Sequence, residues 1–456
     1  MRAIRRTIAA LVAAALAGAT ASLGAGTPAQ ADDTIRTQWY LKSSGLSALK
    51  AKGLDGSGVT IAVIDVAAPD MSVPELRGAD VTVVKPCTDT PTASDVSHTT
   101  AVASVLASPD FGWAPKAKYL FYVHPNKFPA QYQDRTCLNN GTHEWGWAVN
   151  DAINRGADLI SIQVLASRTG RLDYALVRAA TRGVPVICGL GNENRNEKEV
   201  VGSSNLVVGV GAVDKKNKRA KFSDWGPGLS IMAPGTDFML REPDTSGKLT
   251  LTAKKQGTSF SAPMVSGAMA LARQAWPKAN GNQLARSLLY NATRPTEYFD
   301  QTTGWGTLNA TKFIAFDPSA MSADAPLKEK NPAESPTPQH WEDYTEGMAL
   351  PDNVSANDQD YVYRGDSTVA CESAPRCELG TSPRLATASP KPSSNAASPA
   401  GSPPVVPPII GGIGIVVLLG VAVGVVVVVL ARRRKVSDPT SVPPPPGSEG
   451  TPPPVG

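Results

Sequence analysis

The chain has 456 residues, of which 42% are hydrophobic and 18% charged, with a formal net charge of +4. That length exceeds one ordinary domain and that composition permits a sizeable buried core. Lys and Arg are dispersed, apart from Arg432-Arg433-Arg434-Lys435, so nucleic acid is excluded as a partner. Many of the 39 prolines lie beyond residue 316, which predicts a folded part followed by an extended one.

Residues 1–31 read as a secretory signal. Arg2, Arg5 and Arg6 supply the positive start, Ile8 to Leu16 is apolar, and Ala29-Gln30-Ala31 is a small-x-small cleavage site. Residues 32–316 form the predicted folded domain. Val59 to Asp65 is a continuous apolar run ending in an acid, the pattern of a strand buried on both faces. Similar runs recur at Lys118 to Val123, Leu159 to Val164, Pro185 to Gly189 and Leu206 to Val213. Helical patterns lie between them at Thr99 to Ala107, Trp145 to Arg155 and Tyr174 to Arg182. The alternation predicts an α/β fold, a doubly wound and mostly parallel sheet with helices on both faces.

Residues 317–408 are rich in Pro, Ser, Ala and acids without a sustained period, and read as a disordered linker. Within it, Arg364-Gly365-Asp366 resembles an adhesion tripeptide. Ile409 to Ala431 carries no charge over 23 residues, enough to span about 30 Å of hydrocarbon. The basic run after it predicts a cytoplasmic C-terminal side. Residues 432–456 make a short basic and Pro-rich tail, with Pro443 to Pro446 and Pro452 to Pro454 either disordered or a polyproline ligand. The domain is therefore expected outside the cytoplasm, on a single-pass anchor in the cell membrane. The five cysteines suit that compartment. Position alone pairs Cys371 with Cys377 and Cys87 with Cys137, and leaves Cys188 as a free core thiol.

The chemistry gathers on four residues. Asp65 ends a buried strand, where a carboxylate needs a partner. Only four histidines are present. His98 opens a small-residue helix, whereas His124, His143 and His340 have no motif around them. Asn192 is a side-chain donor on the glycine turn Gly189-Leu190-Gly191-Asn192. Ser259, in Gly257-Thr258-Ser259-Phe260-Ser261-Ala262-Pro263, precedes a helix and is by itself better explained as a cap. At a helix N-terminus it also has free N–H groups and a favourable dipole beside it, which suits a nucleophile that generates an oxyanion.

In this order and at separations of 33, 94 and 67 residues, the four motifs resemble those of the subtilisin-like serine proteases. Gly112-Trp113-Ala114-Pro115, Phe222-Ser223-Asp224-Trp225-Gly226 and Met232-Ala233-Pro234-Gly235 echo the same family. The resemblance spans residues 38–315. It implies serine endopeptidase activity on protein or peptide substrates, with Asp65, His98 and Ser259 as triad and Asn192 in the oxyanion hole. It also implies substrate contact at Gln163, Val164 and Leu165 and at Gly189, Leu190 and Gly191. No cofactor is expected. Structural calcium is common in the family, but no compact Asp cluster locates a metal site here. A signal, only 33 residues between Ala31 and Asp65, a Pro-rich linker and a C-terminal membrane segment resemble the layout of the membrane-anchored mycosins of actinobacterial type VII secretion. Such a secretion complex is the partner that layout implies, alongside the lipid bilayer.

Three positions depart from the family pattern. Thr99 stands where glycine is usual, and its Cβ is expected to crowd the substrate or shift the helix start. Val66 replaces a hydroxyl that commonly supports the aspartate. Leu165 stands where glycine lets the substrate approach. These departures keep open a second reading, a weak or inactive pseudoprotease acting as a structural component of a membrane complex. An adhesin or receptor resting on Arg364-Gly365-Asp366 is a third.

Overall fold

Ile61, Ala62, Val63 and Ile64 are all apolar because strand β1 (Thr60–Asp65) is covered on both faces. Successive side chains of a strand point to opposite sides. Ile61 and Val63 join one core cluster, and Ala62 and Ile64 another. In the computed structural model the described residues are 33–86, 90–124, 145–164, 170–294, 299–331, 333–354, 357–368 and 376–380.

Seven strands build one sheet in the order β2-β3-β1-β4-β5-β6-β7. They are β2 (Asp80–Val84), β3 (Lys118–Val123), β4 (Leu159–Ile162), β5 (Val186–Gly189), β6 (Val207–Val213) and β7 (Leu229–Pro234) around β1. Every neighbouring pair is parallel, and the register runs from Thr60 opposite Lys118 to Asp65 opposite Val123. A separate antiparallel hairpin, β8 (Phe238–Glu242) with β9 (Leu251–Lys255), leads into the serine turn. The expected strands are present, each within two residues of its expected bounds. Edge strand β2 is half exposed, and β7 is broken by Ser230 and ends in Pro234, so neither gives a continuous apolar run.

One face of the sheet carries α1 (Leu46–Ala51), α2 (Ala93–Ala107), α5 (Thr258–Ala275), α6 (Gly281–Tyr290) and α7 (Ala310–Ala315) over the larger cluster. The other face carries α3 (Trp145–Asn154) and α4 (Gly170–Thr181) over the second. Full burial of one such aliphatic or aromatic side chain stabilises by about 1.5–3 kcal/mol, and the two clusters sandwich the sheet.

Residues 317–380 correct the expected linker. Where described, they pack on the domain. Lys330 reaches carbonyls of the domain through its ammonium. Asn205 Nδ2 donates to the carbonyls of Asn331, Glu334 and Pro336 at 3.0, 2.9 and 3.1 Å. Helix α8 (Pro338–Thr345) brings Tyr344, with Tyr361 and Tyr363, onto Tyr174 and Val177 of α4. Arg178, 2% exposed, pairs with Asp358 and with Asp360, each at 2.7 Å. The segment reads as a linker because its anchors are single residues at irregular intervals. They gain meaning only against α4 and β6, far away in sequence. Arg364 is paired with Glu378 at 3.5 Å, and Asp366 Oδ1 accepts the Thr368 N–H at 2.8 Å, so two side chains of the tripeptide serve local structure.

The signal (1–31), the apolar stretch (409–431) and the tail (432–456) lie outside the described residues, as do Cys87, Cys137, Cys371, His143 and Leu165. Among the described residues no helix is long and apolar enough to cross a membrane. Cys377 is disulfide-bonded, and Cys371, its expected partner, is not among the described residues. Cys188 is a free buried thiol, pushed by burial up to about 12.

Candidate active site

The carboxyl ends of the parallel strands are where an α/β sheet gathers functional groups, and β1 ends there on Asp65, which is fully buried. Asp65 Oδ1 accepts the Val66 N–H at 2.8 Å and faces His98 Nδ1 at 3.1 Å. Asp65 Oδ2 has no hydrogen-bond partner among the described residues. Val66 packs its side chain into the second core cluster instead of offering a hydroxyl. An unmade bond to a buried polar atom costs about 1–3 kcal/mol.

Helix α2 fixes the imidazole. It starts at Ala93, six residues before Thr99, because Thr92 and Asp95 form a reciprocal capping box. His98 therefore lies inside a rigid helix rather than at its start. The loop after Asp65 is tied back by the Asp70 N–H to Thr100 Oγ1 at 2.9 Å. Thr99 is wholly buried, and its hydroxyl has no partner among the described residues. The expected crowding of substrate is thus corrected: its Cβ faces the interior. Burial pulls the His98 pKa down, while the charge and hydrogen bond of Asp65 push it up and prevail. Lys255 opposes that rise, and Asp95 adds to it. Lys255 lies near because its ammonium donates to Ser97 Oγ at 2.8 Å and pairs with Glu242 at 2.7 Å.

The serine sits at the second residue of α5, where backbone N–H groups have no helical acceptor. Ser259 is 9% exposed. Pro263 lacks the N–H that would bond the Ser259 carbonyl in a regular helix. Phe260 packs 6.1 Å from the His98 ring, bringing the serine turn against α2. Gly257 has φ 156°, and a Cβ there would lie 3.1 Å from Ser259 Oγ and 3.8 Å from the Asn192 amide. Ser259 Oγ and Asn192 therefore converge over this bare α-carbon. Among the described residues no hydrogen bond joins Ser259 Oγ to His98. Such bonds are often long without substrate and tighten in the complex.

Asn192 is exposed on the turn after β5. Its Oδ1 accepts the Thr258 N–H at 2.8 Å and the Thr258 hydroxyl at 3.2 Å. Its amide N–H₂ is left as the donor. The turn is held from below by Asp224, whose Oδ1 accepts the N–H groups of Glu193 and Arg195 at 2.8 and 2.9 Å. Gly191, at φ 137°, passes so close that a Cβ would lie 2.0 Å from Asp224 Oδ2. Sequence reasoning missed the supporting roles of Asp224, Thr258 and Lys255. The Phe222-Ser223-Asp224-Trp225-Gly226 motif was the one signal for the first.

The expected substrate residues divide. Gln163 is buried and turned onto Ser161 Oγ at 2.6 Å, while its N–H continues the sheet to the Ile64 carbonyl. Val164 and Leu190 are core side chains. The side chains at these three positions are therefore turned into the interior. His124, without a motif in the sequence, adjoins the site. Its N–H donates to the Asp65 carbonyl at 2.7 Å, and its ring stacks on Trp145 at 3.7 Å. Among the described residues no group of three or more His, Cys, Asp or Glu gathers as a metal site.

A parallel sheet that delivers a carboxylate, an imidazole, a carboxamide and a serine to one edge defines a serine hydrolase frame. The sequence profile of the subtilase family matches residues 56–306, and the chain belongs to that family of serine endopeptidases. It is 29% identical to subtilisin BL of Lederbergia lenta over 264 residues, 56% of this chain and 91% of that one. It is 30% identical to subtilisin E of Bacillus subtilis (strain 168) over 266 residues, 54% of this chain and 63% of that one. It shares its fold with MycP1 from Mycobacterium smegmatis (TM-score 0.52, 21% identity, 66% of this chain and 90% of that one).

Proposed function

We propose that the chain is a membrane-anchored serine endopeptidase working outside the cytoplasm. Ser259 Oγ attacks the scissile carbonyl while His98 Nε2 takes its proton. The tetrahedral oxyanion is held by Asn192 Nδ2 and the Ser259 N–H. Collapse breaks the C–N bond, and His98 returns the proton to the leaving amine. Water then repeats the sequence on the acyl-enzyme and frees Ser259. Asp65 keeps the imidazole in the tautomer that presents Nε2 to the serine and stabilises the imidazolium. The observation that carries this reading is the 3.1 Å contact of His98 Nδ1 with Asp65 beside a serine turn that Asn192 grips at 2.8 Å.

The placement at the membrane rests on the signal at 1–31, the apolar residues 409–431 and the basic residues 432–435. The mycosin-like layout and the fold shared with MycP1 support service to a type VII secretion complex. A fluorophosphonate probe on the full-length protein tests the chemistry. Label at Ser259 that is absent from Ser259→Ala supports it, and no label on folded protein overturns it. Recovery of the protein in membranes, with the domain cleaved by protease added outside the cell, tests the placement.

A second reading is favoured by Asp65 Oδ2, which has no hydrogen-bond partner among the described residues. In it the site is weak and the protein is a structural member of its complex. Ser259→Ala then leaves the cellular phenotype of the wild type, whereas deletion does not.

A further inference from the structure

Lys330 brings its ammonium to the carbonyl oxygens of Gly202, Val207 and Gly228, at 3.1, 2.5 and 3.0 Å. The three oxygens come from separate pieces of the domain: the 3-10 turn Val201–Ser203, the first residue of β6 and the residue before β7. An ammonium has three donors and no acceptor, so this set saturates it. Carbonyl oxygens converging on one point are also how proteins replace the hydration shell of an alkali cation. Without a positive occupant, three buried acceptors would face one another with no donor. None of the three ligands is a carboxylate, which suits a single positive charge.

The occupant comes from residues 317–345, the segment that reads as a linker. Asn205, between two of the carbonyls in sequence, holds the following Asn331, Glu334 and Pro336 by their carbonyls. The cage also backs the active site. Gly202 packs so closely on β5 that a Cβ there would lie 2.7 Å from the Gly189 carbonyl, and Gly189 opens the Asn192 turn.

We infer that Lys330 is a tethered structural cation. Its ammonium fills a monovalent-cation cage made by the Gly202, Val207 and Gly228 carbonyls, and thereby makes residues 317–345 an integral part of the peptidase fold. An alkali cation or a small alkylammonium is the ligand class the cage takes once the side chain is cut away.

The test is the melting temperature of full-length Lys330→Ala at pH 6.5 in choline chloride, whose cation is too large for the cage, and in potassium, sodium and methylammonium chloride. Lys330→Ala is expected to melt several degrees below wild type in choline and to recover, saturably, with at least one of the small cations. Wild type shows no such recovery. Lys330→Met, which leaves an uncharged stem in the cage, is expected to melt low in every salt. The inference is overturned if Lys330→Ala melts like wild type in choline, if its loss is equal in all four salts, or if Lys330→Met is rescued as well. Should Lys330→Ala fail to accumulate folded, refolding yield in the same four salts replaces the melting temperature, with the same outcomes.

Discussion

Asn192 Oδ1 accepts the backbone N–H of Thr258 at 2.8 Å. A backbone N–H can only donate, so the oxygen of the carboxamide is fixed toward α5 and its nitrogen is left for the substrate. The proposed oxyanion donor and the helix of the proposed nucleophile are thus joined by one bond.

Asn192→Leu removes the donor, together with the acceptor of the Thr258 N–H, while keeping the side-chain volume. The expected loss is about 10²–10³-fold in kcat, or about 2.7–4 kcal/mol of transition-state stabilisation, with KM nearly unchanged. Steady-state kinetics on a peptide substrate decide it. A loss confined to KM would mean that Asn192 binds the ground state instead.

His98 must be neutral to take the serine proton, and its pKa is raised. The acid limb of kcat/KM is therefore expected above the ordinary imidazole value of about 6.5. The charged groups acting on the ring are Asp65 on β1, Asp95 on its own helix and Lys255 on β9, with Glu242 of β8 paired to Lys255. Lys255→Met removes the one opposing charge among these, and the acid limb moves to higher pH, whereas Lys255→Arg leaves it in place. The stability sign follows from the same shift. A raised imidazole pKa contributes stability that is complete below about 6.5 and is lost as pH rises through the folded value. Asp65→Asn abolishes that dependence and lowers kcat by about 10⁴-fold.

Arg178→Met leaves Asp358, 1% exposed, as a buried carboxylate without its cation. Breaking a buried pair from one side costs about 3–5 kcal/mol. Denaturant unfolding of the full-length protein measures it. A change below about 1 kcal/mol would mean that the contact of residues 357–363 with α4 carries no weight.

Lys330 yields a different pH signature. Burial lowers its amine from 10.5 to about 7. Between those values the unfolded chain holds a proton that the folded chain has released. Unfolding free energy therefore rises with pH across that window, by at most about 1.4 kcal/mol per unit. Lys330→Met is expected to lose this rise. Urea unfolding of both proteins at intervals from pH 7 to 10 gives the two slopes, and equal slopes would mean that folding does not bury the amine.

The legible parts of the chain share a cause. Strands buried on both faces are uninterrupted apolar runs, so β1, β3, β4, β5 and β6 stand out, and Asp65 is conspicuous as the acid that ends one of them. Thr92 and Asp95 carry the start of α2 in their own spacing, yet the helix is expected later because the apolar period begins only near Thr99. Edge strand β2 and the hairpin β8–β9 stay hidden because half-exposed strands carry no such run. At the site, the four chemical residues are visible by type and order, but their supports are not. Asp224 acts through backbone N–H groups, and Thr258 through an amide 66 residues away.

The sequence by itself determined the family and the sheet and singled out the proposed reacting groups, because these rest on local patterns and on residue types that few other arrangements employ. Only the tertiary structure decided that Thr99 faces the core, that Asp65 Oδ2 has no hydrogen-bond partner among the described residues and that the described residues between 317 and 363 pack on the domain. Each of those depends on which distant surface a single side chain meets, and a pairwise contact of that kind leaves no period in the chain.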